Sequence, residues 1–167
     1  TFEPFGKRFQ AIERNFRFLD QAVEEMGFGP CDGVLLDLGF SSDELLDPKK
    51  GLSFLQDGTL DMRLGPQSNE DGLTAADIVN SWSKQEITTL LQEYGEERFA
   101  KRIARAVVME RMVVPIKSTR QLATLIAKAV PNKPPSKKGA HKHPATRTFQ
   151  AIRININQEL QAISEAL

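Results

Sequence analysis

The sequence predicts an α/β fold that carries an all-helical insertion, and three observations lead to this prediction. A strand, a helix and a second strand are indicated within residues 8–37, which is typical of a parallel α/β unit because parallel strands need a crossover connection. A long loop rich in Gly, Pro, Asp and Ser follows over residues 39–74. Beyond this loop, apolar residues recur at helical spacing.

The predicted α/β part begins with a strand over residues 8–15, followed by a helix over residues 18–26. Gly27 stops this helix in the way that a C-terminal cap does. The second strand covers residues 33–37. The apolar face of the helix consists of Phe18, Leu19, Ala22, Val23 and Met26.

The stretch GVLLDLGFSS, residues 33–42, is predicted to be a buried strand that ends on Asp37 and turns sharply. In open α/β sheets, ligands bind at the carboxyl ends of parallel strands. Asp37 could accept hydrogen bonds there from a ribose or an amine. The alternative is that Asp37 caps the following turn through backbone amides, and its position alone leaves both interpretations open.

Four further helices are predicted, and Thr74 and Ser83 are candidate N-caps at the start of this region. The helices cover residues 84–94, 96–113, 119–130 and about 145–167. In the second of them, the inward face consists of Phe99, Ile103, Ala106, Val107 and Met109, and the opposite face of Arg98, Lys101, Arg102 and Arg105. The apolar stripe of the last helix consists of Phe149, Ile152, Ile156, Leu160 and Ile163.

Composition excludes several classes of protein and site. The single cysteine, Cys31, excludes an internal disulfide framework and a cysteine zinc cluster, and we expect it to be a small core residue in a reducing compartment. No apolar run approaches the roughly 18 residues that span a bilayer. His141 and His143 lie two residues apart without a nearby carboxylate or thiol, so we expect no metal site.

The net charge of zero conceals a strong asymmetry along the chain. Residues 1–97 hold 8 Lys and Arg against 19 Asp and Glu, whereas residues 98–167 hold 14 against 3. The two parts therefore carry charges of −11 and +11. This asymmetry favours a polyanionic partner for the basic part, and the alternative is pairing between the two parts of the chain.

Several residues have both a functional and a structural interpretation. Arg63 could bind phosphate at the end of the long loop, or it could form a local ion pair with Asp61. Phe16 could stack on an adenine or belong to the core. The cations of residues 98–105 and 133–153 favour a surface that follows nucleic-acid phosphates, although solvated helix faces are the simpler alternative.

Five collinear motifs resemble those of one known family. The motifs DGVLLDLGFSS, KGLSFLQDGTLDMR, AADIVN, YGEERFAKRIARAV and KHPATRTFQAIRININQEL follow one another between residues 32 and 160. Together they resemble the small-subunit rRNA (cytosine-N4) methyltransferases of the RsmH/MraW type. The resemblance implies a partial Rossmann-like S-adenosylmethionine-dependent methyltransferase with an all-helical insertion. It also implies a division into residues 1–48 (partial methyltransferase core), 49–143 (loop and helical insertion) and 144–167 (a helix returning to the core).

The resemblance implies a binding site for the cofactor S-adenosyl-L-methionine. Its residues would be Phe16 near the adenine, Asp37 at the end of the strand, and Glu44 at a position where the family usually has glutamine. From its place at the end of the strand and before the tight turn at Gly39, we further expect Asp37, or the backbone carbonyl of Leu38, to accept a hydrogen bond from the target amine or to orient the methionine end of the cofactor. Phe40 would line the same pocket.

The partner implied by the resemblance is small-subunit rRNA or the ribosomal subunit, and a homodimer is left open. The compartment expected is the cytoplasm, or alternatively a mitochondrion or plastid. The function expected is N4-methylation of a cytidine. The family's glycine-rich cofactor loop and later strands do not occur here, so we expect an internal piece of such a protein. A catalytically inactive RNA-binding or ribosome-assembly factor is the alternative. The residues nominated for RNA contact are Arg63, Arg102, Arg105, His143, Arg147 and Arg153.

Overall fold

The computed structural model of the chain describes residues 6, 8–65, 68–69, 71–131 and 143–167. The chain divides into two compact units. The first consists of Thr1–Asp37 together with Leu160–Leu167, and the second of Leu38–Glu159. The division predicted from the sequence, into a methyltransferase core, an insertion and a returning helix with boundaries at residues 48 and 143, stays a prediction.

The first unit contains a 3-10 helix, Phe16–Phe18, and the helix α1, Leu19–Glu25. Gly27 ends α1 as predicted, because it adopts a φ of +68° and donates its backbone N–H to the Glu24 carbonyl at 3.0 Å. Ala22 is the buried residue of α1. Cys31 is exposed, so the prediction of a core cysteine is wrong.

Both strands predicted for this unit are wrong. Residues 9–15 and 33–38 have no regular secondary structure, and the described part of the chain is helical. A strand needs a neighbouring strand for its hydrogen bonds, and the described residues supply none. The apolar side chains of the expected strand therefore face solvent, with Val34 59% and Leu35 95% exposed.

The second unit contains a series of short helices. The 39–74 region includes one of them, α2, which the sequence analysis treated as loop. In chain order the helices are α2, Ser42–Leu46; α3, Ala75–Ser81; α4, Lys84–Glu93; α5, Ala100–Arg111; α6, Thr119–Ala129; and α7, Thr146–Ile156. The helix α8, Glu159–Ala166, starts at the last residue of this unit.

The starts of α3 and α4 follow from local sequence, as predicted. Thr74 and Ser83 are the N-caps, and each accepts a hydrogen bond from the backbone of the third helical residue. The side chains of Asp77 and Glu86 bond back to the cap residues, which completes a capping box at each helix.

The core of the second unit lies where α5 packs against α3, α4 and α6, and α7 packs against α3 and α4. Its largest fully buried side chains include Ile78, Leu91, Ile103, Leu122, Ile126 and Ile156. Met109 is 58% exposed, so its predicted inward position is wrong. No helix among the described residues is long and apolar enough to cross a membrane.

The last predicted helix, over about 145–167, is interrupted. The helix α7 ends at Ile156, and Gln158 adopts a φ of +48° before α8 begins. The side chain of Asn157 turns inward at this break and bonds to backbone groups of the long loop. The register of the apolar stripe is lost as a result, and Leu160 is 56% exposed.

Candidate functional site

In the segment of residues 50–64, here called the arginine loop, the first residue is hydrogen-bonded to residues at the end of the segment. The backbone carbonyl of Lys50 accepts a hydrogen bond from the Met62 N–H at 2.7 Å. The Lys50 ammonium donates to the Leu64 carbonyl, also at 2.7 Å. Residues at the start and end of the loop therefore lie side by side.

The turn in the middle of the arginine loop docks onto the start of α6. Gly58 donates its N–H to the Thr119 hydroxyl at 3.0 Å, and its carbonyl accepts from the Thr119 N–H at 3.0 Å. Asp57 accepts from the Arg120 N–H at 3.1 Å. The hydroxyl of Ser118, followed by this backbone N–H, lowers the pKa of Asp57. The loop is thus ordered at its turn as well as at its ends.

Asn157 anchors the arginine loop to the end of α7. Its side-chain oxygen accepts from the Leu64 N–H at 2.8 Å, and its nitrogen donates to the Met62 carbonyl at 2.8 Å. The same nitrogen donates to the Arg153 carbonyl at 2.9 Å, and the residue is only 6% exposed. The residues on both sides of Arg63 are therefore fixed by one amide.

Sequence reasoning missed Asn157. The available signal was its place four residues after Arg153 and directly after Ile156, a member of the apolar stripe. A polar side chain at the edge of such a stripe is either exposed or buried with hydrogen-bond partners. Only the structure identifies those partners, because they lie in a distant part of the chain.

Arg63 forms the local ion pair that the sequence analysis gave as the structural alternative. Its Nε donates to Asp61 Oδ1 at 2.8 Å, and its Nη2 donates to Asp61 Oδ2 at 2.7 Å. This bidentate bond lowers the pKa of Asp61 against the opposing effect of burial, and it raises the pKa of Arg63. The two side chains are 35% and 28% exposed, so the pair lies at the protein surface.

Arg153 has two partners of different kinds. Its guanidinium carbon lies 4.7 Å from the centroid of the Phe40 ring, which is a cation–π arrangement. Its Nε and Nη2 also donate to the carboxylate of Glu159 at 2.7 and 3.0 Å. The predicted RNA contact Arg153 is therefore held against Phe40, which was predicted to line the pocket.

Glu44, a predicted cofactor contact, is engaged within the protein. The Lys50 ammonium donates to its Oε1 at 2.6 Å, and the backbone N–H of Ser41 donates to its Oε2 at 3.0 Å. The bond from Lys50, followed by that from Ser41, lowers the pKa of Glu44. Its carboxylate both completes the capping box of α2 and ties α2 to the arginine loop.

These contacts form a closed circuit of side chains and backbone, here called the circuit. It runs from Glu44 through Lys50 and Leu64 to Asn157, and from there through Arg153 to Phe40, two residues before α2. Phe40, Lys50, Arg153 and Asn157 in this circuit come from three of the five quoted motifs. The structure brings together Phe40, Glu44, Arg63 and Arg153.

Three aromatic rings form a second cluster beside α7. The ring of His143 lies 4.6 Å from that of Phe54, centroid to centroid, at an interplanar angle of 36°. Phe54 in turn meets the edge of Phe149 at 4.9 Å. His143 is exposed and Phe149 is buried, so the cluster extends from the core to the surface.

The remaining predicted RNA contacts lie on helix surfaces. Arg102 and Arg105 are on the exposed face of α5, together with Lys101, and neither forms an ion pair with any residue in the described ranges. Arg147 is exposed at the start of α7 and donates to the Glu96 carbonyl at 2.6 Å.

The other predicted cofactor residues lie in the first unit. Phe16 is half-buried and begins the 3-10 helix, and Asp37 is exposed at the end of that unit. The carboxylate of Asp37 makes no hydrogen bond with a residue that the structure describes. His141 and the basic segment 132–142 lie outside the described residues.

The described part of the chain contains no group of three or more His, Cys, Asp or Glu residues that could hold a metal ion. Within that part, the cations and carboxylates of the circuit are instead paired with one another. The chemistry that this arrangement offers is the recognition of hydrogen-bonding and anionic groups.

The chain is similar in sequence to curated proteins of known name. A ribosomal RNA small subunit methyltransferase H from Carboxydothermus hydrogenoformans is 48% identical over 164 residues, which cover 98% of this chain and 50% of that protein. The protein of the same name from Thioalkalivibrio sulfidiphilus is 49% identical over 162 residues, covering 96% of this chain and 49% of the relative. The chain therefore spans about half the length of the curated relatives it matches.

The match to a family profile covers all of the sequence. The profile of the MraW methylase family aligns with residues 1–167. This extent agrees with the five motifs, which begin before Asp37 and continue through the end of α7. The chain belongs to the MraW methylase family.

Proposed function

We propose that this protein catalyses S-adenosylmethionine-dependent N4-methylation of a cytidine in small-subunit rRNA, in the cytoplasm. Membership of a methylase family implies a methyltransferase fold. We propose that the helical part of the second unit is the insertion within that fold. The relatives named ribosomal RNA small subunit methyltransferase H support this reaction.

The structural observation that carries the proposal is the basic face at α5, which consists of Arg98, Lys101, Arg102 and Arg105. All four are exposed, and none of them forms an ion pair with a described residue. Phosphate groups of RNA are the natural partners of such unpaired cations, because binding them releases counterions from the nucleic acid. We assign the first phosphate contacts to Arg102 and Arg105.

Arg63, Arg147, Arg153 and His143 form the second part of the proposed RNA surface. Each has a partner within the protein that fixes its position. Side chains held in one geometry lose little entropy when they bind. We therefore propose that these four residues orient the RNA, while the α5 cations supply most of the electrostatic attraction.

The residues proposed for the cofactor fit its polar and aromatic groups. The Asp37 carboxylate is exposed, so it can accept hydrogen bonds from a ribose or an amine. The half-buried ring of Phe16 offers a face for an adenine. Glu44 keeps acceptor capacity beyond its bonds to Lys50 and Ser41, since a carboxylate has about four lone-pair sites. When bound, S-adenosylmethionine supplies an activated methyl group.

At the target base, Asp37 or the Leu38 carbonyl accepts a hydrogen bond from the cytosine N4 amine. This acceptor orients a nitrogen whose lone pair is delocalised into the ring. Correct placement of reacting groups can supply about 7–11 kcal/mol of a barrier. We propose that Phe40, supported by Arg153, forms one wall beside the base. An RNA base is accessible in this way when it is unpaired or flipped out.

The experiment compares the parent full-length protein with an Asp37→Ala variant. We expect the variant to lose S-adenosylmethionine binding in calorimetry and methyl transfer to small-subunit rRNA, while RNA binding is kept. Asp43→Ala is the control, because Asp43 is an exposed carboxylate on α2 outside the circuit. Unchanged cofactor binding and methylation in Asp37→Ala would overturn the assigned role of Asp37.

The parent protein also tests the alternative of an inactive factor. RNA binding without cofactor binding or methyl transfer would favour an RNA-binding or ribosome-assembly role over catalysis. We also propose that the protein forms a homodimer. The molecular mass measured by sedimentation of the same protein distinguishes a homodimer from a monomer.

A further inference from the structure

We propose that His143, supported by Phe54 and Phe149, is a stacking platform for one unpaired base of the bound nucleic acid. The proposal rests on the RNA-binding function above and adds a base subsite to it. It concerns residues other than those of the basic face at α5. The three rings and the α5 cations can therefore be tested separately.

The geometry of the three rings supports a platform. Phe149 is 5% exposed and belongs to the core of the second unit. Phe54 meets its edge at an interplanar angle of 74°, and His143 lies over Phe54 with 4.6 Å between ring centroids. Each ring supports the next, and the outermost one is exposed to solvent.

The His143 ring is also held by the backbone at the start of α7. The Ala145 N–H donates to its Nδ1 at 3.1 Å, and the Thr146 N–H donates to its carbonyl oxygen at 3.0 Å. Stacking against Phe54 and the bond at Nδ1 together restrict the ring to one orientation, so that binding a base costs little side-chain entropy.

A base is the ligand that suits a flat, exposed and fixed aromatic ring. Unpaired RNA bases stack on aromatic side chains, histidine included. The bond at Nδ1 engages the backbone N–H of Ala145, the residue before α7, but this bond does not require the ring to lie on Phe54. Arg147, exposed in the first turn of α7 four residues after His143, provides a cation for the phosphate of the stacked nucleotide.

The test measures binding of the full-length protein to a short single-stranded RNA that contains one fluorescent purine. We expect His143→Ala to weaken binding by about 5- to 150-fold, since stacking on an aromatic ring contributes about 1–3 kcal/mol per base. The salt dependence of binding should stay unchanged, because stacking releases no counterions. His143→Phe keeps a ring and should bind within about threefold of the parent.

Two further variants test whether a loss of binding comes from the missing stacking ring. One controls for the hydrogen bond at Nδ1, and the other controls for the removal of any exposed aromatic residue. His143→Asn keeps an acceptor for the Ala145 N–H but has no ring, so it should behave like His143→Ala. Phe28→Ala removes an exposed aromatic residue of the first unit and should leave binding unchanged.

The outcomes distinguish this proposal from the proposed function. Parent-like binding by His143→Asn, or Ala-like binding by His143→Phe, would overturn the stacking platform. Salt-dependent RNA binding that is insensitive to every His143 variant would reject the platform and leave the RNA-binding function intact. A parent protein that binds no RNA would overturn both.

Discussion

The side-chain oxygen of Asn157 accepts a hydrogen bond at 2.8 Å from the backbone N–H of Leu64, a residue 93 positions earlier in the chain. The nitrogen of the same amide donates to Met62, so that the two neighbours of Arg63 are attached to the end of α7. One buried side chain therefore attaches the last residues of the arginine loop to the end of α7. It also accounts for the interruption between α7 and α8.

Replacing Asn157 with Ala should destabilise the helical unit. The change removes the partners of the Leu64 N–H and of the Met62 carbonyl, and Met62 is fully buried. Leaving such groups unsatisfied should lower the free energy of unfolding by about 2–3 kcal/mol. Urea titration followed by the fluorescence of Trp82, the single tryptophan, measures this change in the second unit.

The matched control for Asn157 is Asn155→Ala. Asn155 lies two residues earlier in α7, and its side chain makes no hydrogen bond with a described residue. Its replacement should change the free energy of unfolding by less than about 0.5 kcal/mol. Equal effects of the two substitutions would contradict the anchoring role of Asn157.

Gly51→Ala should be among the most disruptive single substitutions in the arginine loop. Gly51 has a φ of +63°, and a Cβ there would overlap the backbone carbonyl of Thr59. Both the backbone strain and the overlap oppose the native loop, and we expect a loss of more than about 3 kcal/mol in the free energy of unfolding. Urea titration monitored by Trp82 again provides the measurement.

A Gly72→Ala variant separates the contribution of backbone strain from that of the steric overlap with Thr59. The φ of Gly72 is +66°, similar to that of Gly51, but no heavy atom of a described residue beyond its chain neighbours lies within 4 Å of the position that a Cβ would occupy. Gly72→Ala should therefore cost only the strain of a left-handed residue, about 1 kcal/mol. If Gly51→Ala lowers the free energy of unfolding by no more than Gly72→Ala does, the overlap with the Thr59 carbonyl does not contribute to the cost.

The Asp61–Arg63 pair predicts a particular dependence of stability on pH. Because Arg63 lowers the folded-state pKa of Asp61 below its usual value of 3.8, the pair stabilises the folded state above that value. This stabilisation is lost as the pH falls through the lowered folded pKa. At neutral pH, Asp61→Asn should be less stable than the parent by about 0.5–1 kcal/mol, given the partial exposure of both side chains.

Urea midpoints measured from neutral pH down to pH values below 3.8 test this prediction. The difference between the parent and Asp61→Asn should shrink in the acidic range. Arg63→Gln should reduce the same pH dependence, and the double variant should add little to either single change. A constant difference across the whole range would show that the carboxylate charge is not the cause.

Arg102→Gln and Arg105→Gln should weaken RNA binding through electrostatics. Each variant should reduce the slope of log affinity against log salt by about 0.7–0.9, the value for the loss of one phosphate contact. Folding should be unaffected, because both side chains are exposed and form no ion pair within the described ranges. Binding titrations of the full-length protein at several salt concentrations measure the slopes.

Lys84→Gln is the control for this prediction. Lys84 is an exposed cation at the start of α4, outside the basic face at α5. Its loss changes the net charge by the same amount but should leave the salt slope unchanged. Unaltered slopes for Arg102→Gln and Arg105→Gln would assign the phosphate contacts to another surface.

The sequence by itself determined the features that depend on neighbours within about four residues. Thr74 and Ser83 were recognisable as N-caps, and Gly27 as a helix end, because each bonds to backbone groups a few positions away. The Asp61–Arg63 pair was visible for the same reason. The order of the motifs also identified the family before any geometry was known.

Only the tertiary structure decided what depends on distant partners. The strand expected over 33–37 requires a neighbouring strand, and its run of apolar residues carries no information about whether the chain supplies one. The interruption after Ile156 follows from hydrogen bonds between Asn157 and residues more than 90 positions away. The contact of Arg153 with Phe40 likewise joins distant segments. Such contacts depend on how helices pack, whereas caps and local ion pairs depend on the nearest turns of the chain.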